Sequence, residues 1–390
     1  METTTPLTSV STPSMAPSAL NMSSDPTILS TRYTDGRTYV LDNEVERIIL
    51  GVLTLIIAAV GIFGNSITII AVVLSRKLRT ITNVFVVNLA VADLLTCLAL
   101  PWNAVGVLAP YSETYPLPEY ICKAASLVLY TCTGCSLFTL AAISLNRYFL
   151  ITRQSKVYRA FYSSSKMAAM VTFMWVVPLL VALVPPLCGL GELGYTAKYS
   201  SCTHDTSHPL SDYYSMLQSA IYIPVPLGII VVCYVRVFQH LKSHHKTMKN
   251  QIKEGETGTI GREAPSEDIS VSQASMSVRN NVSTVTSPAH AHRTKQISRR
   301  QVEITKNLFY VVLVFIICIV PYGVCLLIPP SDPLIPWVAT IFLLNSCLNW
   351  MIYATKHPHF KTVYRLMLKC QCSKIPQQSD FLKSFRSTFR

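Results

Sequence analysis

The chain has 390 residues, of which 50% are hydrophobic and only 14% charged, with a mean hydropathy of +0.38. A soluble domain of this length carries roughly 25% charged residues, so a single water-soluble fold is excluded. A net charge of +13 would suit nucleic acid, but the cations flank long apolar runs, where attraction to an anionic leaflet explains them better; membrane lipid is the expected partner and nucleic acid is not.

In chain order, Met1–Leu41 is rich in Thr, Ser and Pro and lacks the apolar core of a cleavable signal peptide. It has too few apolar residues to build a core, and residues 1–46 read as a disordered tail. Seven nearly charge-free segments follow: Ile48–Ser75, Ile81–Pro110, Ala124–Leu145, Met167–Leu190, Tyr213–Val235, Asn307–Pro330 and Pro333–Thr355. Each reaches or exceeds the roughly 20 residues a helix needs to cross the hydrocarbon core. With no repeated alternating ten-residue strands, helices are the only reading that satisfies the backbone in lipid. The fold class is therefore all-α: a seven-transmembrane bundle over 47–355, followed at 356–390 by a short amphipathic eighth helix and a tail. Within the bundle, residues 240–300 form a long polar, Ser-rich loop that reads as disordered, its basic ends prolonging the fifth and sixth helices.

Charge orients the bundle. If the first tail is outside, the inner pieces hold 28 Lys+Arg against 7 Asp+Glu, and the outer pieces 4 against 12. Lys and Arg resist translocation, which predicts a multi-pass plasma-membrane protein with its N-terminus outside. The acceptor triplet Asn21-Met22-Ser23 then lies where glycosylation occurs, whereas Asn281-Val282-Ser283 lies inside and reads as a chance match.

Asp93 is the one clear acid within the spans, and a charge there costs several kcal/mol unless paired or hydrated. Its expected company is Asn65, Ser136, Asn345 and Asn349, an oxygen-rich set that suits a hard monovalent cation with water, or else a hydrogen-bond network that joins helices. Arg147 ends the third span, where alone it would simply snorkel. Of twelve cysteines, Cys97, Cys132, Cys135, Cys233, Cys318, Cys325 and Cys347 are expected to pack within spans. Cys122 opens the third helix and Cys202 lies in the loop after the fourth; an oxidising compartment favours pairing them, with Cys188 as competitor. Cys370 and Cys372 follow the amphipathic stretch Phe360–Lys369 and are candidates for palmitoylation.

Together these features resemble the rhodopsin-like G-protein-coupled receptors, over about Arg47 to Cys372. The resemblance is carried by Gly64-Asn65, by Asn88-Leu89-Ala90-Val91-Ala92-Asp93, and by Cys122 set 25 residues before Arg147. It continues in Asn146-Arg147-Tyr148, Trp175, Pro226 with Tyr234, Phe315 with Cys318 and Pro321, and Asn349-Trp350-Met351-Ile352-Tyr353. It implies a receptor with no chemistry of its own, which activates a heterotrimeric G protein and meets arrestin and receptor kinases. Asn146, Arg147 and Tyr148, with Tyr234 and Tyr353, would form the activation machinery, and Phe315 and Pro321 the switch of the sixth helix. Asp93, Ser136, Asn345 and Asn349 match the family's sodium pocket; no other cofactor is implied.

Several positions depart from the family pattern. Asn146 replaces the acid beside the arginine, Gln301 stands where the sixth helix often has a second acid, Ile319 replaces a Trp, and Trp350 replaces the proline of the seventh helix. Loss of the charged restraints is expected to raise ligand-independent signalling. The Asn-Arg-Tyr variant and Leu78-Arg79-Thr80 are loosely similar to melatonin-receptor-like and moody-like orphan receptors. Melatonin itself is not implied, because Tyr222 and Pro185 stand at that subfamily's polar anchor positions. Leu129 occupies the place of the amine receptors' aspartate and Leu343 that of the opsins' lysine, which speaks against a protonated amine or a Schiff base. Leu129, Tyr130, Thr133, Gln218, Tyr222 and Tyr322 would line a pocket for a small, weakly polar or lipid-like ligand, unless these residues only pack and a peptide binds the loops. A transporter would need an ion-lined path, and the spans offer one acid and no internal repeat. A membrane enzyme would need clustered His, Asp or Glu at membrane depth, and no histidine lies in a span.

Overall fold

The computed structural model describes residues 40–258, 309–326 and 328–388. Asn21, Gln301 and most of the expected polar loop lie outside the described residues. Among the described residues, seven helical segments are long and apolar enough to cross a membrane. Helices α1 (Glu44–Leu74), α2 (Ile81–Leu108) and α3 (Glu119–Thr152) are the first three, and α5 (Ser164–Leu187) is the fourth. A short helix α4 (Ser155–Phe161) lies between α3 and α5. The fifth segment, Ser211–Ser243, joins α6 (Ser211–Tyr222) to α7 (Pro224–Gly258). The sixth is α8 (Phe309–Leu326), and the seventh, Ser331–Lys356, joins α9 (Ile335–Leu343) to α10 (Asn345–Lys356). Helix α11 (Pro358–Leu368) follows at once, and α12 (Asp380–Thr388) is the last.

Local chemistry sets these boundaries. Asn43 caps α1 by accepting the Val45 and Glu46 N–H groups, with Glu44 and Glu46 in the favourable first turn. The fifth span breaks where Pro224 and Pro226 withhold backbone donors. Pro358 at the first position of α11, with the His357 ring accepting the Phe360 N–H, turns the chain out of α10 into a separate helix.

Packing is radial, with α3 in the middle. In its most apolar window 67% of residues are buried, against 22% for α5. Small and hydroxylated residues allow this depth: Ser126, Thr139 and Ser144 each return their hydroxyl to the carbonyl four residues back. A Cβ at Gly134 would lie 2.7 Å from Pro178 and 2.8 Å from Tyr222, so helices cross closely there. Asn88 joins three helices, since its amide donates to Thr139 Oγ1 at 2.7 Å and its oxygen accepts from the Trp175 indole at 2.9 Å. The outer surface is the reverse of a soluble protein's. Ile56, Phe63, Phe173, Val232 and Ile317 are all more than half exposed, an apolar belt that only lipid covers.

At one end, strands β1 (Leu193–Thr196) and β2 (Ser201–His204) pair antiparallel, with Tyr195 opposite Cys202. Cys202 is disulfide-bonded to Cys122, which fixes the hairpin to the start of α3; Cys188 is free and exposed. The hairpin also reaches the seventh span, where Lys198 pairs with Asp332 at 2.8 Å and the Tyr199 hydroxyl donates to the same carboxylate. The opposite end carries Arg147, α11 and α12.

Candidate functional site

Three clusters lie along the bundle axis, and α3 contributes to each. At the hairpin end, Tyr130 meets a residue the sequence reading did not single out. His204, two positions beyond Cys202 on β2, points down with it, as alternate strand residues must. Its Nδ1 lies 3.0 Å from the Tyr130 hydroxyl, and its ring is 4.4 Å from Tyr130 and edge-on to Tyr214 at 4.6 Å. Gln218 is buried beside it, Tyr222 is buried with its hydroxyl donating to Pro178 O at 2.8 Å, and Tyr322 stacks on Phe342 at 5.8 Å. His204 Nε2 and Gln218 Nε2 are buried without a hydrogen-bond partner among the described residues. Of the expected pocket residues, Tyr130 and Gln218 meet His204, Tyr222 and Tyr322 lie near Tyr130, and Thr133 is half-buried one turn along. Leu129 faces elsewhere, packed with Leu100 and Cys347. The spacing of His204 from Cys202 was the available signal.

Burial pushes the His204 ring down to about 4 from an ordinary 6.5, against the opposing influence of Gln218. The folded chain therefore binds the proton less well than the unfolded chain, and this ring lowers stability as pH falls from 6.5 towards 4. The limiting effect is roughly 3 kcal/mol for a shift of that size. Thermal melts at pH 7 and pH 5 should show native protein losing stability in acid and His204→Gln losing less. Identical acid sensitivity in both would refute the assignment.

In the middle, Asp93 is fully buried. The Ser136 hydroxyl donates to its Oδ1 at 3.1 Å and the Asn349 amide to its Oδ2 at 2.7 Å. Asn65 donates to Ser346 O at 2.8 Å and so holds α1 against α10 beside the acid. Asn345 is buried, and both Asn345 Oδ1 and Asn349 Oδ1 lack a hydrogen-bond partner among the described residues. A carboxylate, a hydroxyl and the unsatisfied amide oxygen of Asn349, on three helices, fit the hard-oxygen donor set of a monovalent cation, and Asn345 lies one turn before Asn349 on α10.

At the far end, Arg147 is 3% exposed on a cavity of about 250 Å³ also lined by Lys77, Thr82, Tyr158, His357 and His359. Its neighbour Asn146 accepts from Thr82 Oγ1 at 2.9 Å and donates to the Tyr158 hydroxyl at 3.1 Å, joining α2, α3 and α4 without a charge. Tyr148 turns away, its hydroxyl accepting from Arg153 at 3.2 Å. Tyr234 is buried beside Ser144 and Arg147 and packs edge-on against Phe309 at 5.1 Å. Tyr353 is buried and stacked on Phe360 of α11 at 5.6 Å. Phe315 and Ile319 lie in the main core and Pro321 is half-buried. Beyond α11, Cys370 is exposed and Cys372 half-buried. No group of three or more metal-binding side chains occurs among the described residues.

The family model of the 7 transmembrane receptors (rhodopsin family) matches residues 64–353. The alpha-1D adrenergic receptor of Mus musculus is 29% identical over 80% of this chain and 56% of its own length. The G-protein coupled receptor moody of Drosophila melanogaster is 27% identical over 83% of this chain and 52% of its own. The 5-hydroxytryptamine receptor 4 of Cavia porcellus is 26% identical, over 84% and 81%. The chain thus spans little more than half the length of the first two relatives. Among solved structures, squid rhodopsin superposes with a TM-score of 0.67 at 19% identity, covering 90% of this chain and 93% of that one. These relatives are of several receptor types.

Proposed function

Because the chain belongs to the rhodopsin family of seven-transmembrane receptors, we propose that it binds a small, weakly polar ligand beneath the β1–β2 hairpin and activates a heterotrimeric G protein at the Arg147 end. The charge asymmetry supports an extracellular hairpin and a cytosolic Arg147. In that orientation arrestin and receptor kinases meet the same face, Asn21 is a glycosylation acceptor and the Cys122–Cys202 bond forms where oxidation is possible. Cys370, the more exposed of its pair, is the better acyl acceptor, with Cys372 the alternative.

The observation that carries the reading is Arg147, buried at the floor of a cavity with Tyr234 beside it and an uncharged neighbour. A carboxylate at 146 would hold the guanidinium by an ion pair; Asn146 spends its hydrogen bonds on Thr82 and Tyr158 instead. That one ion-pair restraint from position 146 is absent here, and its absence favours the open packing of α8. Phe315 and Pro321 serve as the hinge of α8, and Tyr234 and Tyr353 are the side chains that converge on Arg147 when it opens. Two of the relatives are named as an adrenergic and a 5-hydroxytryptamine receptor, but Leu129 supplies no counter-ion and the polar groups beneath the hairpin are the neutral Tyr130, Gln218, Tyr222, Tyr322 and His204. Such a lining favours an uncharged ligand with one or two hydrogen-bonding groups.

G-protein dissociation sensors in cells test this without the ligand. At matched surface levels the native chain should raise the basal signal, Arg147→Ala should return it to the level of untransfected cells, and Asn146→Asp should lower it. A signal unchanged by Arg147→Ala overturns the assignment of the arginine, and a native chain no different from untransfected cells refutes raised basal activity.

A further inference from the structure

Leu74 is the last residue of α1, and the segment after α11 is tied to that point by main-chain bonds. The Ser379 N–H donates to Leu74 O at 2.9 Å, and the Arg76 N–H donates to Gln377 O at 2.8 Å. Ser75 pairs with Gln378 in an isolated antiparallel bridge, and its hydroxyl donates to Pro376 O at 3.0 Å. The Arg76 guanidinium is paired with Asp380. Ser75 and Ser379 are fully buried, and Ile375 and Leu382 belong to the main hydrophobic core. Ser379 also accepts the Leu382 N–H and so caps α12. This clasp holds the start of α12 against the last residue of α1, the first apolar span.

On that helix, consecutive side chains diverge by about 100°. Leu382 turns into the core at 5% exposure, while Phe381 is 61% exposed. Leu368, at the end of α11, is also 61% exposed. From Lys369 onward the sequence carries Lys369, Lys374, Lys383, Arg386 and Arg390 against Asp380 alone, and Asp380 is already engaged by Arg76. A large apolar side chain held at the end of a span, in a segment whose sequence has surplus cations, has the composition of a helix that lies in the boundary between headgroups and acyl chains. We propose that α12 is a second surface helix, seated on anionic phospholipid with Phe381 inserted among the lipids and the clasp to Leu74–Arg76 setting its depth. The inference takes from the function above only the orientation that puts this end on the anionic leaflet. The cations and Phe381 give affinity; the clasp removes the ordering cost that a free amphipathic segment would meet on binding.

The test uses the whole chain in nanodiscs of phosphatidylcholine alone or mixed with phosphatidylserine. Photoreactive benzoylphenylalanine replaces Phe381, Leu382 or Leu368, and mass spectrometry reads the adducts. Position 381 should form lipid adducts, more abundant in the anionic discs by about fivefold, the factor one cation contributes near such a surface. Position 382 should link to the chain itself, and Leu368 serves as a second lipid-facing reference on α11. Lys383→Glu should bring the yield at 381 in anionic discs down towards that in neutral discs. Absence of lipid adducts at 381 where 368 forms them overturns the proposal, as does a yield indifferent to both phosphatidylserine and Lys383→Glu. Adducts at 381 formed only with an added G protein would instead make α12 a protein-docking helix. None of these readings depends on signalling, so failure here leaves the receptor assignment standing or falling on its own assay.

Discussion

Replacing Gly64 with Leu is expected to leave almost no folded receptor, and adding Trp350→Ala to the same chain should restore a large part of it. A Cβ at Gly64 would fall 1.9 Å from Trp350 Cδ1 and 2.1 Å from its Nε1. The indole cannot simply step aside, because Phe63 stands edge-on to it at 5.8 Å and the next residue, Asn65, fastens α1 to Ser346 O. Overpacking by one or two methylenes in a tight core typically costs about 1–3 kcal/mol. Four added carbons on a seam where two helices touch exceed that range. Gly64→Ala should lie between native and Leu. The measurement is the fraction of monodisperse receptor surviving a temperature series, in the two single variants and the double. If glycine and tryptophan are one contact, the double variant is more stable than the sum of the singles allows. Additive losses, or a Gly64→Leu chain that melts with the native one, would sink the idea. The same contact explains the unusual residue at 350. Proline is the family's choice there, and this chain instead fills the space opposite a glycine with an indole.

Much of this arrangement was legible in the sequence because lipid imposes simple rules. The apolar run Ile81–Pro110 becomes the helix Ile81–Leu108 nearly residue for residue, since the backbone has no other way to satisfy itself, whereas the run Ala124–Leu145 is only the middle of Glu119–Thr152. The company around Asp93 followed from chemistry, since a buried acid must recruit donors and few are available at that depth. The rest depended on directions that one-dimensional spacing does not carry. Leu129 and Tyr130 are adjacent in sequence and point to one pocket by position alone, yet a helix turns them about 100° apart and only Tyr130 reaches the hairpin cluster. His204 required knowing that the loop holding Cys202 is a strand, because only then do the two share a face. The break at Leu344 has no proline to announce it; there one N–H is shared between the Thr340 and Ile341 carbonyls. The clasp between Ser75 and Gln378 joins residues about 300 apart by backbone groups that every sequence possesses.

Asp93→Asn is expected to abolish a sodium-dependent rise in thermal stability that the native chain should show. The donors to the carboxylate, Ser136, Asn349 and Ser346, are neutral, and none of the ion pairs among the described residues includes Asp93. An ionised acid so placed is left with its charge uncompensated, a cost of several kcal/mol. Two routes remove it: a proton on Asp93, or a cation among the oxygens of Asp93, Ser136, Asn345 and Asn349. The unsatisfied Oδ1 atoms of Asn345 and Asn349 favour the cation, because a protonated acid would leave both without a donor. Sodium at ten times its dissociation constant adds about 1.4 kcal/mol of stability. Melting in sodium chloride against choline chloride at equal ionic strength separates the routes. A higher midpoint in sodium for the native chain, absent in Asp93→Asn and reduced in Asn345→Ala, supports the cation. Equal midpoints in both salts, with stability that instead changes as Asp93 titrates, would assign the site to the proton. The same ion bears on signalling, since donors on α2, α3 and α10 cannot all keep hold of it if those helices shift against one another.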